Sequence, residues 1–333
     1  MSIQQFQTTK VGGPFALVTV PTPKPGSGEV SIRPKALALN GIDWKNLKFG
    51  AVVQSWPAVL GEDAAGIIEE VGEGVTAYKP GDEVFGFALG FLGKGTFQDV
   101  FVTTQESVAK RPANLTREEA ASLPTIFLTA TATLTAGLQI HVPGLTKENK
   151  YSASNPLQSI LILGAGSGVG SVAIQLLRIA LPSVNIITTS SAHHHAHLKA
   201  LGANTTLDRS AQSDIAAIKA ATPGGAGVDA ILDPVGAADY EPTVLGAIRA
   251  DGPKLFSRVV TGANSNVPEG FTGKACGAYH AEPTAVAYMA ELAGSANFKL
   301  PLKLEVVGQG YGVIEKNLDR FPNISGTKLI VNL

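Results

Sequence analysis

The run Ile160-Leu161-Ile162-Leu163 passes straight into Gly164-Ala165-Gly166-Ser167-Gly168-Val169-Gly170. Residues of these types at this spacing hold a pyrophosphate. The first glycine lets a strand turn sharply. The second lets the backbone approach a phosphate with no Cβ in the way, and the last lets a helix sit close to the strand. The N-terminus of that helix offers unpaired N–H groups and a partial positive charge. Gly164, Gly166 and Gly170 are spaced G-x-G-x-x-x-G, one residue longer than the common dinucleotide fingerprint. A Gly-rich turn that serves packing alone is the other reading. The strand–turn–helix context favours the dinucleotide.

The end of the next strand chooses between NAD and NADP, because an acid there binds the ribose hydroxyls and repels a 2′-phosphate. Here it reads Thr188-Thr189-Ser190-Ser191-Ala192-His193-His194-His195, and no acid occurs between Leu163 and Asp208. NADPH is therefore expected, with Thr189, Ser190 and Ser191 as donors. His193, His194, His195 and His197 also invite a metal reading, since His193 and His197 are spaced i, i+4. No third ligand type lies nearby, so a solvated helix start is the expectation and no metal is assigned.

The elements around these residues fall into two rhythms. Up to about residue 128, short β-branched runs at 16–20, 29–38, 64–71, 83–87 and 99–102 are separated by turn signals such as Lys79-Pro80-Gly81-Asp82. No helical stripe there exceeds two turns. Thr116 caps a helix start, and residues 130–138 read as a small-residue helix. Residues 142–157 form a polar loop without periodicity. From residue 159 strands at 159–163, 185–189, 229–232 and 254–260 alternate with helices at 171–180, 196–201, 216–221 and 242–248. That alternation predicts a parallel sheet covered on both faces. A helix at 284–293 and a strand at 328–333 follow.

Composition limits the function. Lys and Arg number 26 against 27 Asp and Glu, a net charge of −1, so the basic stripe that nucleic acid requires is missing. Gly (37) and Pro (20) along the chain exclude a coiled coil. The single Cys276 forms no internal disulfide and supplies no thiolate zinc cluster. Residues 1–10 are polar, and every apolar run breaks before the ~18 residues a spanning helix needs. A soluble cytoplasmic protein is expected, a monomer or homodimer with no membrane partner.

The glycine loop, the strand end Asp233-Pro234-Val235-Gly236, and Gly61-Glu62-Asp63-Ala64-Ala65-Gly66 followed by Gly81-Asp82-Glu83-Val84 together resemble the medium-chain dehydrogenase/reductase superfamily. The resemblance covers essentially the whole chain. It implies an α/β protein: a GroES-like β-rich catalytic domain at 1–128 and 269–333, and a Rossmann doubly wound parallel-sheet domain at 129–268 that binds NADPH. The zinc branch of that superfamily carries Cys in the early loop and His-Glu after the glycine of the long strand. This chain has Ala38-Leu39-Asn40-Gly41-Ile42-Asp43-Trp44-Lys45 and Gly61-Glu62-Asp63 there. The resemblance is therefore to the zinc-free branch of quinone oxidoreductases and enoyl reductases. The early loop and the 142–157 insert look closest to fungal trans-acting enoyl reductases of polyketide pathways.

Carried over residue by residue, the resemblance implies that His194 and Arg209 stand where relatives have a Lys and a Tyr gripping the 2′-phosphate. It places Thr129 near the nicotinamide, and Val260-Thr261-Gly262 at the strand end that meets the carboxamide. Gly164, Gly166, Ser167, Gly168, Val169, Gly170, Val235 and Gly236 complete the expected cofactor site. Without zinc the acceptor must already be polarised by conjugation. The expected reaction is hydride addition to an enone, an enoyl thioester or a quinone, with Asn40 and Lys45 as donors to the enolate oxygen. Lys45 as an ordinary surface lysine is the competing reading. A small-molecule or carrier-bound acyl substrate is expected. The alternatives are a non-catalytic NADPH-binding protein and a tailoring partner docked on a synthase.

Overall fold

The computed structural model describes residues 1–88, 90–260 and 266–333. In chain order the strands are β1 (Ser2–Thr8), β2 (Phe15–Pro21), β3 (Glu29–Ala38), β4 (Ala58–Val59), β5 (Asp63–Val71), β6 (Glu83–Phe87), β7 (Phe101–Thr104), β8 (Val108–Lys110), β9 (Ser159–Ile162), β10 (Asn185–Ser190), β11 (Thr205–Asp208), β12 (Ala230–Asp233), β13 (Leu255–Val259), β14 (Ala275–Cys276), β15 (Lys303–Gln309) and β16 (Thr327–Asn332). The helices that matter here are α1 (Gly41–Phe49), α2 (Arg117–Ala121), α3 (Pro124–Ala132), α4 (Gly168–Ala180), α5 (His195–Leu201), α6 (Ile215–Ala220) and α7 (Ala237–Tyr240).

The chain folds as two compact units, Met1–Thr125 with Val286–Leu333 and Ile126–Ala285. The divisions fall at 125 and 285, where the sequence suggests 128 and 268. Part of the second difference has a physical cause. Ala275–Cys276 hydrogen-bond to β13 as one more parallel strand, with Arg258 opposite Ala275.

In the first unit a seven-stranded sheet runs β15-β16-β3-β5-β6-β8, with β7 also on β3, and a three-stranded sheet runs β2-β1-β4. Val30, Ile32, Leu37, Leu39, Leu60, Ile68, Phe97 and Phe101 close its core. Two registers matter for chemistry. Ala38 pairs with Asp63, and Ile330 pairs with Ala38. The early loop, the start of β5 and the last strand therefore meet at one end of the sheet.

The second unit is a six-stranded parallel sheet in the order β11-β10-β9-β12-β13-β14. Ranked along the chain that is 3-2-1-4-5-6, the order whose ligand crevice opens between the first and fourth strands at their carboxyl ends. Here those are β9 and β12. All four residues of β9 are buried, as the unbroken apolar run required.

Local departures from the sequence reading are explicable. Helix α1 occupies the segment read from the sequence as the early loop. Asp43 accepts from the backbone N–H of Asn40 at 2.9 Å and closes the helix start. Residues 242–248 form a 3-10 segment, Pro242–Ala247, instead of an α-helix. Among the described residues no helix is long and apolar enough to cross a membrane.

Candidate active site

The glycine loop of the second unit fits a dinucleotide. Gly164 has φ +57°, and a Cβ on it would lie 2.5 Å from the Val235 side chain. The loops after β9 and β12 thus face each other across the crevice. Ser167 ends the loop as the cap of α4, its hydroxyl accepting from Gly170 N–H at 3.2 Å. The N–H groups of Gly168 and Val169 precede that bond and have no intrahelical partner, so they are free to meet an anion at the end of a 13-residue helix. Ile126 on α3 packs against Gly168, which brings the helix carrying Thr129 beside the loop. Thr129 itself is buried.

The end of β10 divides the expected phosphate donors. Thr189 and Ser190 are buried, and the Thr189 hydroxyl already accepts from Gln212 Nε2 at 2.8 Å. Thr189 O takes the Ala165 N–H, so β10 also holds the glycine loop. Ser191 is half-buried and Arg209 exposed. His194 is not at the surface. Its ring lies against Gly166, where a Cβ would come within 2.6 Å of Cδ2, and the ring of the exposed His193 lies beside it, tilted by 50° with centroids 3.9 Å apart. Burial lowers the His194 pKa, and the surrounding His193, His197, Arg209 and His195 lower it further. At neutral pH it is an uncharged ring on the loop. His194, expected as a second donor beside Arg209, is thus a largely buried ring packed on the glycine loop. Arg209 keeps the charge.

The loop after β12 is shaped by Asp233. Its carboxylate accepts from the N–H groups of Val235, Ala237 and Ala238 at 3.3, 2.9 and 3.0 Å. This holds Gly236 in place and leaves Val235 projecting, 45% exposed. Val260 follows β13, with its N–H on Cys276 O. Thr261 and Gly262 lie outside the described residues.

In the first unit the early-loop residues part company. Asn40 is buried, and its side-chain N–H groups go to Asp63 at 2.9 Å and Ala38 O at 3.3 Å. Its oxygen accepts from Lys328. With both N–H groups committed, Asn40 is a structural node and has no donor left for a substrate, which corrects the expected role. Asp63 also accepts from Lys328 Nζ at 3.1 Å and from the N–H and hydroxyl of Thr125 at 2.8 and 2.6 Å. Asp43, wholly buried beside this cluster, has its pKa pushed up to about 7 by burial, with the Asp63 charge adding to the rise. Lys45 on α1 is half-buried, and desolvation lowers its pKa. Among the described residues it has no carboxylate partner. Glu62, at the position of the zinc branch's His, is buried.

Sequence reasoning missed Gln212, Asp63 with Lys328, and Arg258. Arg258 was the legible one, a charged residue inside the apolar run of β13. Gln212 and Lys328 carry no local signal, because their partners are distant in the chain.

Comparison with known proteins agrees with this fold. A family model described as "Alcohol dehydrogenase GroES-like domain" matches residues 26–113, and one described as "Zinc-binding dehydrogenase" matches residues 168–266. The chain is 30% identical over 332 residues to a dehydrogenase from Aspergillus niger, covering 94% of each chain. It is 37% identical over 217 residues to a trans-enoyl reductase from Aspergillus flavipes, covering 63% of this chain and 60% of that relative's length. Among solved structures, an alcohol dehydrogenase superfamily protein from Novosphingobium aromaticivorans matches with a TM-score of 0.78 at 23% identity, over 99% of each chain. At that identity the match speaks for the fold alone.

Proposed function

Since this chain belongs to the medium-chain dehydrogenase/reductase superfamily, whose fold implies a nicotinamide cofactor, we propose that it is an NADPH-dependent, zinc-independent reductase of conjugated C=C bonds. Its substrate is an enone or an enoyl thioester. The observation that carries the reading is the crevice of the parallel sheet. A capped glycine loop faces Val235, the end of β10 offers Ser191 with no acid of its own, and Arg209 follows β11, whose last residue Asp208 is opposite Ser190 and is held by Ser210.

A bound nicotinamide supplies the hydride. The chain's own residues do the rest. Gly168 and Val169 N–H groups and the α4 dipole hold the pyrophosphate. Arg209 meets the 2′-phosphate, as guanidinium forks do. Lys45, as an ammonium on a partly desolvated side chain, stabilises negative charge on the acceptor oxygen and gives its proton to the enolate formed by hydride addition, leaving an amine that solvent reprotonates. The absence of metal chemistry rests on the residue types, with Asn40 spent on Asp63 and Lys328 and no Cys in the early loop. The trans-enoyl reductase relative supports a carrier-bound acyl group as substrate.

The direct test is calorimetric titration of the whole chain with NADPH and NADH. A phosphate contact with Arg209 is worth roughly 1.5–3 kcal/mol, so NADPH binds at least about tenfold tighter. Equal dissociation constants would remove the NADPH assignment. Tight NADPH binding without turnover on any enone, enoyl thioester or quinone would favour a non-catalytic binding protein.

A further inference from the structure

Arg258 is an unusual residue to find where it is. It lies on the fifth strand in chain order of the parallel sheet, β13, and is 2% exposed. A buried guanidinium is costly unless paired, so its position is held by what it binds. In register it stands beside Asp233 of β12, the residue that shapes the loop carrying Val235. Its guanidinium then makes two connections. Both terminal nitrogens bond Asp239 on α7, one of them at 3.0 Å. One of those nitrogens also donates to Asn266 O at 3.4 Å. Asp239 belongs to the segment that follows β12, and Asn266 to the segment that follows β13. The first segment leaves the carboxyl end of β12, which borders the crevice, and the second that of β13, the next strand in the sheet.

We propose that Arg258 is a positioning residue for cofactor binding, a single buried cation that ties the segment carrying Val235 and Asp239 to Asn266 and so holds the Val235 loop in the arrangement a dinucleotide meets. This rests on the second unit being the cofactor site, as argued above. The planar fork explains why the residue is Arg. It bonds a carboxylate with two N–H groups and reaches a carbonyl with the same edge, which a lysine ammonium does not. Asp239 answers the buried charge, and the Arg258 guanidinium in turn holds the Asp239 carboxyl below its ordinary pKa.

The test uses Arg258→Lys and Asp239→Asn in the whole chain. Amide exchange of the ligand-free protein is followed over residues 235–240 and 266–268, together with the NADPH dissociation constant and the melting temperature. Exchange over both segments is expected to accelerate in each variant. If the loops then hold the binding arrangement about a tenth of the time, the NADPH dissociation constant rises about tenfold. Asp239 lies at the surface edge of the pair, so Asp239→Asn should show these effects with the smaller change in melting temperature. The double variant should add little to the larger single effect. Unchanged exchange over both segments in both variants overturns the proposal. So does accelerated exchange with an NADPH affinity within twofold of wild type. Should the unaltered protein bind no dinucleotide, the cofactor reading fails, and the clamp as a cofactor-positioning device is overturned with it. The exchange data then report only on the ion pair, so the two failures are told apart.

Discussion

Three side chains carry residue-scale predictions. Arg209 is exposed and permanently charged, so Arg209→Ala should weaken NADPH binding by about 2 kcal/mol and leave NADH nearly unchanged. Calorimetry with both cofactors reads this. Asp43 makes stability depend on pH. Its folded pKa, about 7, lies above the ordinary carboxylate value, so the folded state holds a proton that the unfolded chain has released. Stability from this group is complete below about pH 4 and is lost as pH rises through 7. Denaturant unfolding between pH 5 and 8 should show the decline, and Asp43→Asn should flatten it. Lys328 is the buried counter-ion of Asp63 and the donor to Asn40. Lys328→Met leaves Asp63 charged and unpaired, and should cost about 3 kcal/mol in the same unfolding experiment. Little of this was legible. Lys328 and Asp63 are 265 positions apart, and a lysine in a terminal strand looks like an ordinary solvated one until its partner is known. Asn40 drew notice for its amide, yet tertiary contacts consume both of its N–H groups.

At the scale of elements, the second unit was the readable part. β9 is buried throughout and apolar after Ser159, and the glycines mark where it turns into α4. These are local signals, dense enough to fix a strand, a turn and a helix together. The acid-free end of β10 was equally plain. What stood there was not, because Thr189 turns to Gln212 and His194 folds back onto Gly166. Helix α1 escaped notice for a related reason. Asn40-Gly41 reads as a turn, and the helix has no apolar stripe, so its start depends on Asp43 closing back on Asn40. The cap of α4 gives the element-scale prediction. Ser167→Ala removes the bond to Gly170 N–H, frees a third amide at the phosphate end, and should lower stability by about 1 kcal/mol. Thermal unfolding measures it.

The whole chain joins two units of different design. The first draws strands from both ends of the sequence, and its seven-stranded sheet seats the early loop between β5 and β16. The second carries the crevice of a doubly wound sheet. Turn spacing and strand–helix alternation marked the change of rhythm along the chain, while a first unit built from both ends was what the family resemblance implied. The parallel sheet runs on past 268 through β14, a two-residue strand too short to announce itself in a sequence. Zinc independence belongs to this scale, since it concerns the protein as purified. Elemental analysis of untagged protein should find no stoichiometric zinc, and activity should survive chelator. The central claim is hydride transfer from NADPH to a conjugated carbon, and isotope transfer reads it most directly. NADPH carrying deuterium at the transferable position of C4 is incubated with the protein and an α,β-unsaturated thioester, and the product is examined by mass spectrometry and NMR. The account predicts one deuterium, at the β-carbon of a saturated thioester. Deuterium at a carbonyl carbon, with the double bond intact, would contradict it.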